Sequence, residues 1–281
     1  SRGVPFAWSF RLFPVLLVNM VILLIIFYFI DKKEYRKDLV DGMRPDLSSG
    51  HTKIRIRGIH NVIFLVMIIL AVVLSGALPS VPAFQNAAGE VIGIHVYGEI
   101  SFPVTSLIEI IIILAAALLS FATTKREIRL SNHFTWGAIK EVAVLFIGIF
   151  ITMEPALMIL EQAGSSLGLN HPAQFFWSAG ALSSFLDNTP TYLVFLTAAG
   201  AMGFSSGLTT AVGVIPVKVL MAISCGAVFM GANTYIGNAP NFMVKSISDE
   251  NGVRMPSFFG YMWWSVRFLI PVFIVDMLLF F

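Results

Sequence analysis

Apolar residues in this chain fall into long runs separated by short polar stretches. Phe10–Ile30, Ile59–Leu78, Val104–Phe121, Val142–Leu160 and Phe258–Phe281 are each close to the roughly 20 residues that cross a hydrocarbon core about 30 Å thick. Two further runs are interrupted. Pro172–Met202 is broken by Asp187-Asn188-Thr189-Pro190, and Val212–Ser246 by Gly231-Ala232-Asn233-Thr234-Tyr235-Ile236-Gly237-Asn238-Ala239-Pro240-Asn241. Each arm of the first is about 14 residues, or about 21 Å as helix. That is too short to cross and long enough to reach the bilayer middle and return. Residues 172–202 are therefore read as a re-entrant hairpin entering from outside; the alternative is one crossing helix kinked at Pro190. Residues 212–246 are read as a broken helix and residues 258–281 as the final span. The class is an all-α polytopic membrane protein with a single transmembrane domain over residues 1–281.

Composition sharpens this picture. Hydrophobic residues make up 57% and charged residues 12%, about half the charge of an ordinary soluble domain, which runs near 25%. Mean hydropathy is +0.84. No polar stretch is long enough for a soluble core, and nothing suggests a nucleic-acid partner. Cys225 is the single cysteine, which excludes an internal disulfide and a cysteine-rich metal site. The first run is too long for a signal-peptide core and is followed by Asp31-Lys32-Lys33 rather than small residues, so it reads as a true span. The chain starts Ser1-Arg2-Gly3 and is read as the C-terminal portion of a longer protein.

Charge placement gives an orientation. Lys32, Lys33, Arg36, Lys37, Arg44, Lys53, Arg55 and Arg57 lie in one loop, and Lys125, Arg126, Arg129 and Lys140 in another. Residues 79–103 and 161–171 contain no lysine or arginine. The basic loops are expected in the cytoplasm, which puts the end of the fourth run, near Gly164, outside. The expected location is a multi-pass position in a bacterial inner membrane.

The two interruptions share a pattern, asparagine two residues before proline. Unwound backbone facing lipid costs several kcal/mol per unpaired group, and such breaks survive where they line a binding site. Carbonyls at the end of one half-helix suit a sodium ion, and amides at the start of the next favour an anion. Asn188, Thr189, Asn233, Thr234, Asn238 and Asn241 add neutral ligands of the kind hard cations prefer. Gly237 belongs to the same set. Asp187 is an ionisable group at membrane depth and hence a functional candidate. It could hold a cation when ionised and a proton when the cation leaves. It could equally cap the second half-helix, since Asp before Asn-Thr-Pro is a good N-cap pattern.

At these two motifs, Ser184-Phe185-Leu186-Asp187-Asn188-Thr189-Pro190 and Gly231 to Asn241, the chain resembles the C-terminal half of the ion transporter superfamily. That group includes NhaD-type sodium/proton antiporters, citrate-type carriers, arsenite permeases and sodium-coupled dicarboxylate transporters. The resemblance implies two inverted repeats, each with a hairpin tip facing a broken helix, and a homodimer. It places Asp187-Asn188-Thr189 where the dicarboxylate branch carries Ser-Asn-Thr, and the aspartate leans toward the sodium/proton branch. A second hairpin and broken helix are expected in the superfamily's N-terminal half, and residues 1–58 contain neither.

Other polar residues in the spans are read individually. Glu154, before Pro155, is a second candidate proton carrier or a partner for a neighbouring helix. Glu109 sits near an interface. Lys218 either snorkels or meets a substrate carboxylate. Lys245 snorkels inward. Arg267 and Asp276 are read as structural or interfacial. His95 and His171 lie in loops without a second metal ligand. Tyr261, Trp263 and Trp264 suit an interfacial belt. The sodium ligands would be Asp187, Asn188 and Asn238, and the proton carriers Asp187 and Glu154. The function expected is a secondary transporter, first a sodium/proton antiporter, with a citrate or dicarboxylate carrier as the alternative and a non-transporting ion sensor as the reading from another class. Its partners are the bilayer and a small ion or carboxylate. No cofactor is expected beyond sodium as transported or coupling ion. Motifs of intramembrane serine, aspartyl and zinc proteases are absent from the sequence, so no enzyme is expected.

Overall fold

Within lipid a helix satisfies all of its backbone hydrogen bonds internally, and the computed structural model is mostly helical. It describes residues 4, 6–40, 56–87, 89, 91–97, 100–132, 134–163 and 168–281. Arg44, Lys53, Arg55 and Gly164 lie outside the described residues, as does the side chain of Glu154. Among the described residues four stretches are long and apolar enough to cross a membrane: Trp8–Val40, Asn61–Ser80, Val104–Thr123 and Phe258–Phe280. Their large apolar side chains stay mostly exposed, Leu24, Phe27, Ile63, Leu118 and Leu278 among them. Such faces belong against lipid.

Contacts divide the chain into two compact units. One is Asp46–Phe134. Its helices α2 (Asn61–Ala77) and α3 (Val104–Thr123) pair. A polar clasp ties the start of one to the end of the other. Ser120 Oγ donates to Asn61 Oδ1 at 2.7 Å, and Asn61 Nδ2 donates to Thr124 Oγ1 at 3.0 Å. At the opposite end two short antiparallel strands, β1 (Gly93–Tyr97) and β2 (Ile100–Pro103), cover the loop. The short α4 (Arg126–Ser131) follows, and Glu109 lies in α3.

The other unit joins Arg2–Pro45 to Thr135–Phe281. Helix α1 (Phe13–Val40), preceded by a 3-10 turn, runs ten residues past its apolar part. Asp31 to Val40 favours helix because its lysines, glutamate and arginine are good helix formers and Glu34 pairs with Lys37 at 2.8 Å. Helix α5 (Gly137–Ala163) continues through Pro155. Helices α6 (Pro172–Ser183) and α7 (Asn188–Gly200) are joined by four residues. Strands β3 (Leu208–Thr210) and β4 (Gly213–Ile215) form a small hairpin that leads to α8 (Val217–Phe229). A 3-10 turn, Met230–Asn233, then irregular chain, precede α9 (Ala239–Glu250) and α10 (Phe258–Phe280).

Directions follow from side-chain contacts. A Cβ on Gly226 would meet Phe176 O and Gly180 N, and Ser184 Oγ reaches Met230 O, so α6 runs parallel to α8. Asn188 lies at Gly231, Tyr192 bonds Ser224, and Gly200 abuts Val212, so α7 runs the other way. Helices α6 and α7 therefore fold back on each other. At 12 and 13 residues they are about 18 and 20 Å long. Phe175, Phe176, Leu196, Leu220 and Ile223, all fully buried, fill the space between the three helices.

The far end of α9 is tied down separately. Tyr235 packs edge-on against Phe258 and Tyr261, and the Lys245 ammonium lies 5.4 Å from its ring centre. Lys245 also reaches Asp249 at 2.8 Å. That ammonium, together with the Met255 amide, holds the exposed Asp249 carboxyl below its ordinary range.

Candidate functional site

The end of α6 and the start of α7 form one side of the site. The non-helical turn is Ser184–Asp187, and Asn188-Thr189-Pro190 already form the first turn of α7. Pro190 is tolerated there because first-turn amides need no helical acceptor. Asp187 caps this helix, its Oδ1 accepting from the Asn188 amide at 2.7 Å. The other side is the gap between α8 and α9. Asn238 caps α9, its Oδ1 accepting from the Asn241 amide at 3.0 Å. Pro240 again sits where an amide is dispensable.

Serines and a threonine stitch the two sides together. The Ser183 hydroxyl lies 2.9 Å from Asn188 Oδ1 and within bonding reach of Ala227 O. Ser184 Oγ lies 2.8 Å from Gly180 O and 3.0 Å from Met230 O, and accepts from Asn233 Nδ2 at 3.0 Å. Thr234 donates to Ser184 O and accepts from the Gly237 amide. Ser184 and Thr234 are buried, so these bonds replace helical partners that the break removed.

Glycine shows how close the backbones come. A Cβ at Gly237 would stand against three carbonyl oxygens, those of Gly231, Ser183 and Ser184. A Cβ at Gly231 would run into Asn188 Oδ1 with Asn238 Nδ2 beside it. Oxygens from two chain segments thus converge on one small space. Four helix ends meet around it: the carboxyl ends of α6 and α8 and the amino ends of α7 and α9. The first pair is partially negative and the second partially positive. Two buried polar atoms nearby, Asn233 Oδ1 and Thr191 Oγ1, have no partner among the described residues. A cavity of about 230 Å³ adjoins the break, with Ser184, Asn233 and Thr234 on one side and apolar Trp177, Met262 and Val266 on another.

Of the residues singled out from sequence, the fold brings Asn188, Asn233, Thr234, Gly237 and Asn238 together. Asn241 reaches the edge, its Nδ2 lying 3.4 Å from Gly231 O. Asp187 is half-buried at the tip, and Thr189 points outward. Lys218 is exposed at the start of α8. Glu154 is in α5 one residue before Pro155. Sequence reasoning did not count Ser183, Ser184, Gly231 and Thr191 among the candidate ligands, although Ser184 and Gly231 stand in the two motifs. Ser183-Ser184 carried a signal, two hydroxyls directly before a helix end. Gly231 carried another, the first residue of the interruption. Thr191 carried none.

No curated protein and no solved structure was found to match the chain. A family described as "Putative citrate transport" matches residues 1–281. With its lipid-suited helices and its paired helix breaks, the chain belongs to this citrate-transport family.

Proposed function

We propose that this multi-pass membrane protein is a secondary transporter that moves citrate or a similar carboxylate together with a cation. The observation that carries the reading is the convergence of three backbone carbonyls at Gly237 beside the amino ends of α7 and α9. Carbonyl and amide oxygens at this point would hold a monovalent cation such as sodium, with Asn188 and Asn238 adding ligands. The amino ends of α7 and α9 would receive the carboxylate. In this reading α6 and α7 form a re-entrant hairpin, both arms being shorter than the hydrocarbon core. Dimerisation and residence in a bacterial inner membrane belong to the same proposal.

One observation favours a second reading, sodium/proton exchange: a carboxylate, Asp187, stands at the tip. The two readings separate in proteoliposomes of the whole protein with a trapped pH dye. Citrate transport predicts no sodium-driven proton flux until citrate or a dicarboxylate is added. In that case Asp187→Asn weakens the sodium dependence of uptake about tenfold, equal to about 1.4 kcal/mol. A proton flux driven by sodium alone, and lost in Asp187→Asn, would replace the citrate reading with exchange. Absence of any flux under both conditions would remove transport altogether.

A further inference from the structure

Away from the helix breaks, one carboxyl group is fully enclosed. Asp276, in α10, has no exposed surface. Its hydrogen-bond partner among the described residues is Asn19 of α1, whose Nδ2 lies 2.8 Å from each carboxyl oxygen. The same nitrogen donates to Val15 O at 2.8 Å. A carbonyl only accepts, so this bond fixes which way the Asn19 amide faces. One N–H therefore serves two oxygens that together offer about four acceptor sites when ionised.

Among the described residues the surroundings supply no compensating cation. The ion pairs among the described residues are Lys37–Glu34 and Lys245–Asp249. Helix α1 presents Val15 and Asn19, and its charged residues begin at Asp31. Helix α8 presents the Cys225 thiol, which interacts electrostatically with Asp276, and its Tyr192 neighbour on α7 bonds Ser224 instead. Helix α6 presents Trp177, whose Nε1 donates to Met277 Sδ at 3.1 Å. The turn Met230–Asn233 contains no titratable group. Arg11, Lys218 and Arg267 are exposed. Trp8, Val15, Cys225 and Phe273 belong to one buried apolar cluster with these helices, which keeps water out. A carboxylate enclosed this way is strongly disfavoured, with so little to offset its lost hydration. A neutral acid accepting one bond from Asn19 does not.

We propose that Asp276 is a proton-binding site at the seam of α1 and α10, separate from the helix breaks. It holds its proton while the two helices are closed on each other and releases it to water when the seam opens. The site stands whether the cation at the breaks is sodium or another.

Infrared spectroscopy of the whole protein in lipid tests this directly, because an undissociated acid has a carbonyl stretch distinct from carboxylate and amide bands. At neutral pH the wild type shows an acid band that Asp276→Asn lacks and that shifts in heavy water. In Asn19→Ala the band persists and moves to higher frequency, since the carbonyl has lost its hydrogen bond. A carboxylate band lost in Asp276→Asn, with the acid region unchanged, would overturn the proposal. Should Asp276→Asn fail to fold, Asn19→Ala decides alone, and an acid region identical to wild type would count against the site.

Discussion

Alanine at Gly237 is expected to reduce sodium-dependent citrate uptake by about 100-fold, equivalent to about 2.8 kcal/mol of lost cation binding. The new methyl would stand where the carbonyls of Gly231, Ser183 and Ser184 converge. None of these is the end of a flexible side chain. Ser183 O ends α6, Ser184 O belongs to the turn that follows it, and Gly231 O belongs to the 3-10 turn after α8. The methyl can be accommodated only by moving these carbonyls apart, Gly231 O most of all, which separates the oxygens that would surround a cation. Uptake rate against sodium concentration in proteoliposomes measures the effect, with a thermal melt to establish that the variant remains folded. A folded Gly237→Ala protein with wild-type sodium dependence would place the cation elsewhere.

Leucine at Gly226 should have the largest effect on stability, about 3 kcal/mol at the upper end of ordinary overpacking. Here α6 and α8 touch backbone to backbone. The Cβ would meet Phe176 O and Gly180 N, and Gly180 on the facing helix is itself covered by the Met230 side chain. Small residues allow this approach in membranes, where packing rather than hydrophobic expulsion holds helices together. Thermal unfolding in detergent reads the loss. Gly148→Ala is the control, because a Cβ there meets nothing within 4 Å. Equal melting of Gly226→Leu and wild type would mean that the α6–α8 contact is looser than described.

Much of the helical framework was legible from the apolar runs alone. Val104 begins α3 as the pattern indicates, and α2 and α10 end within a residue or two of the expected points. The interruptions were legible because asparagine and proline have no ordinary place inside an apolar segment. Other features lay beyond pattern reading for identifiable reasons. The Ser183 and Ser184 hydroxyls stood visibly before a helix end, but the backbone oxygens that these serines and Gly231 contribute belong to every residue type. Thr234 and Ser184 meet across fifty positions of sequence, and Asn19 and Asp276 across 257. Asp276 read as structural or interfacial, and its pairing with Asn19 could not be foreseen because that partner is so distant in sequence. The charged extension of α1 was hidden by its polarity, although its residues are good helix formers. The strand pairs arise from backbone pairing in loops too short to show an alternating pattern.

The mixed polarity of the four helix ends has a thermodynamic consequence. A cation held by the carboxyl ends of α6 and α8 and a carboxylate held by the amino ends of α7 and α9 would each lower the cost of binding the other. Linkage makes this mutual: whatever factor the cation adds to carboxylate affinity, the carboxylate adds to cation affinity. Binding one ion alone leaves half of the helix-end charge unanswered, so the singly loaded form is the least favoured of the occupied states. Stoichiometric coupling and suppression of leak would then arise from the same charge arrangement, with no separate gate needed to enforce them.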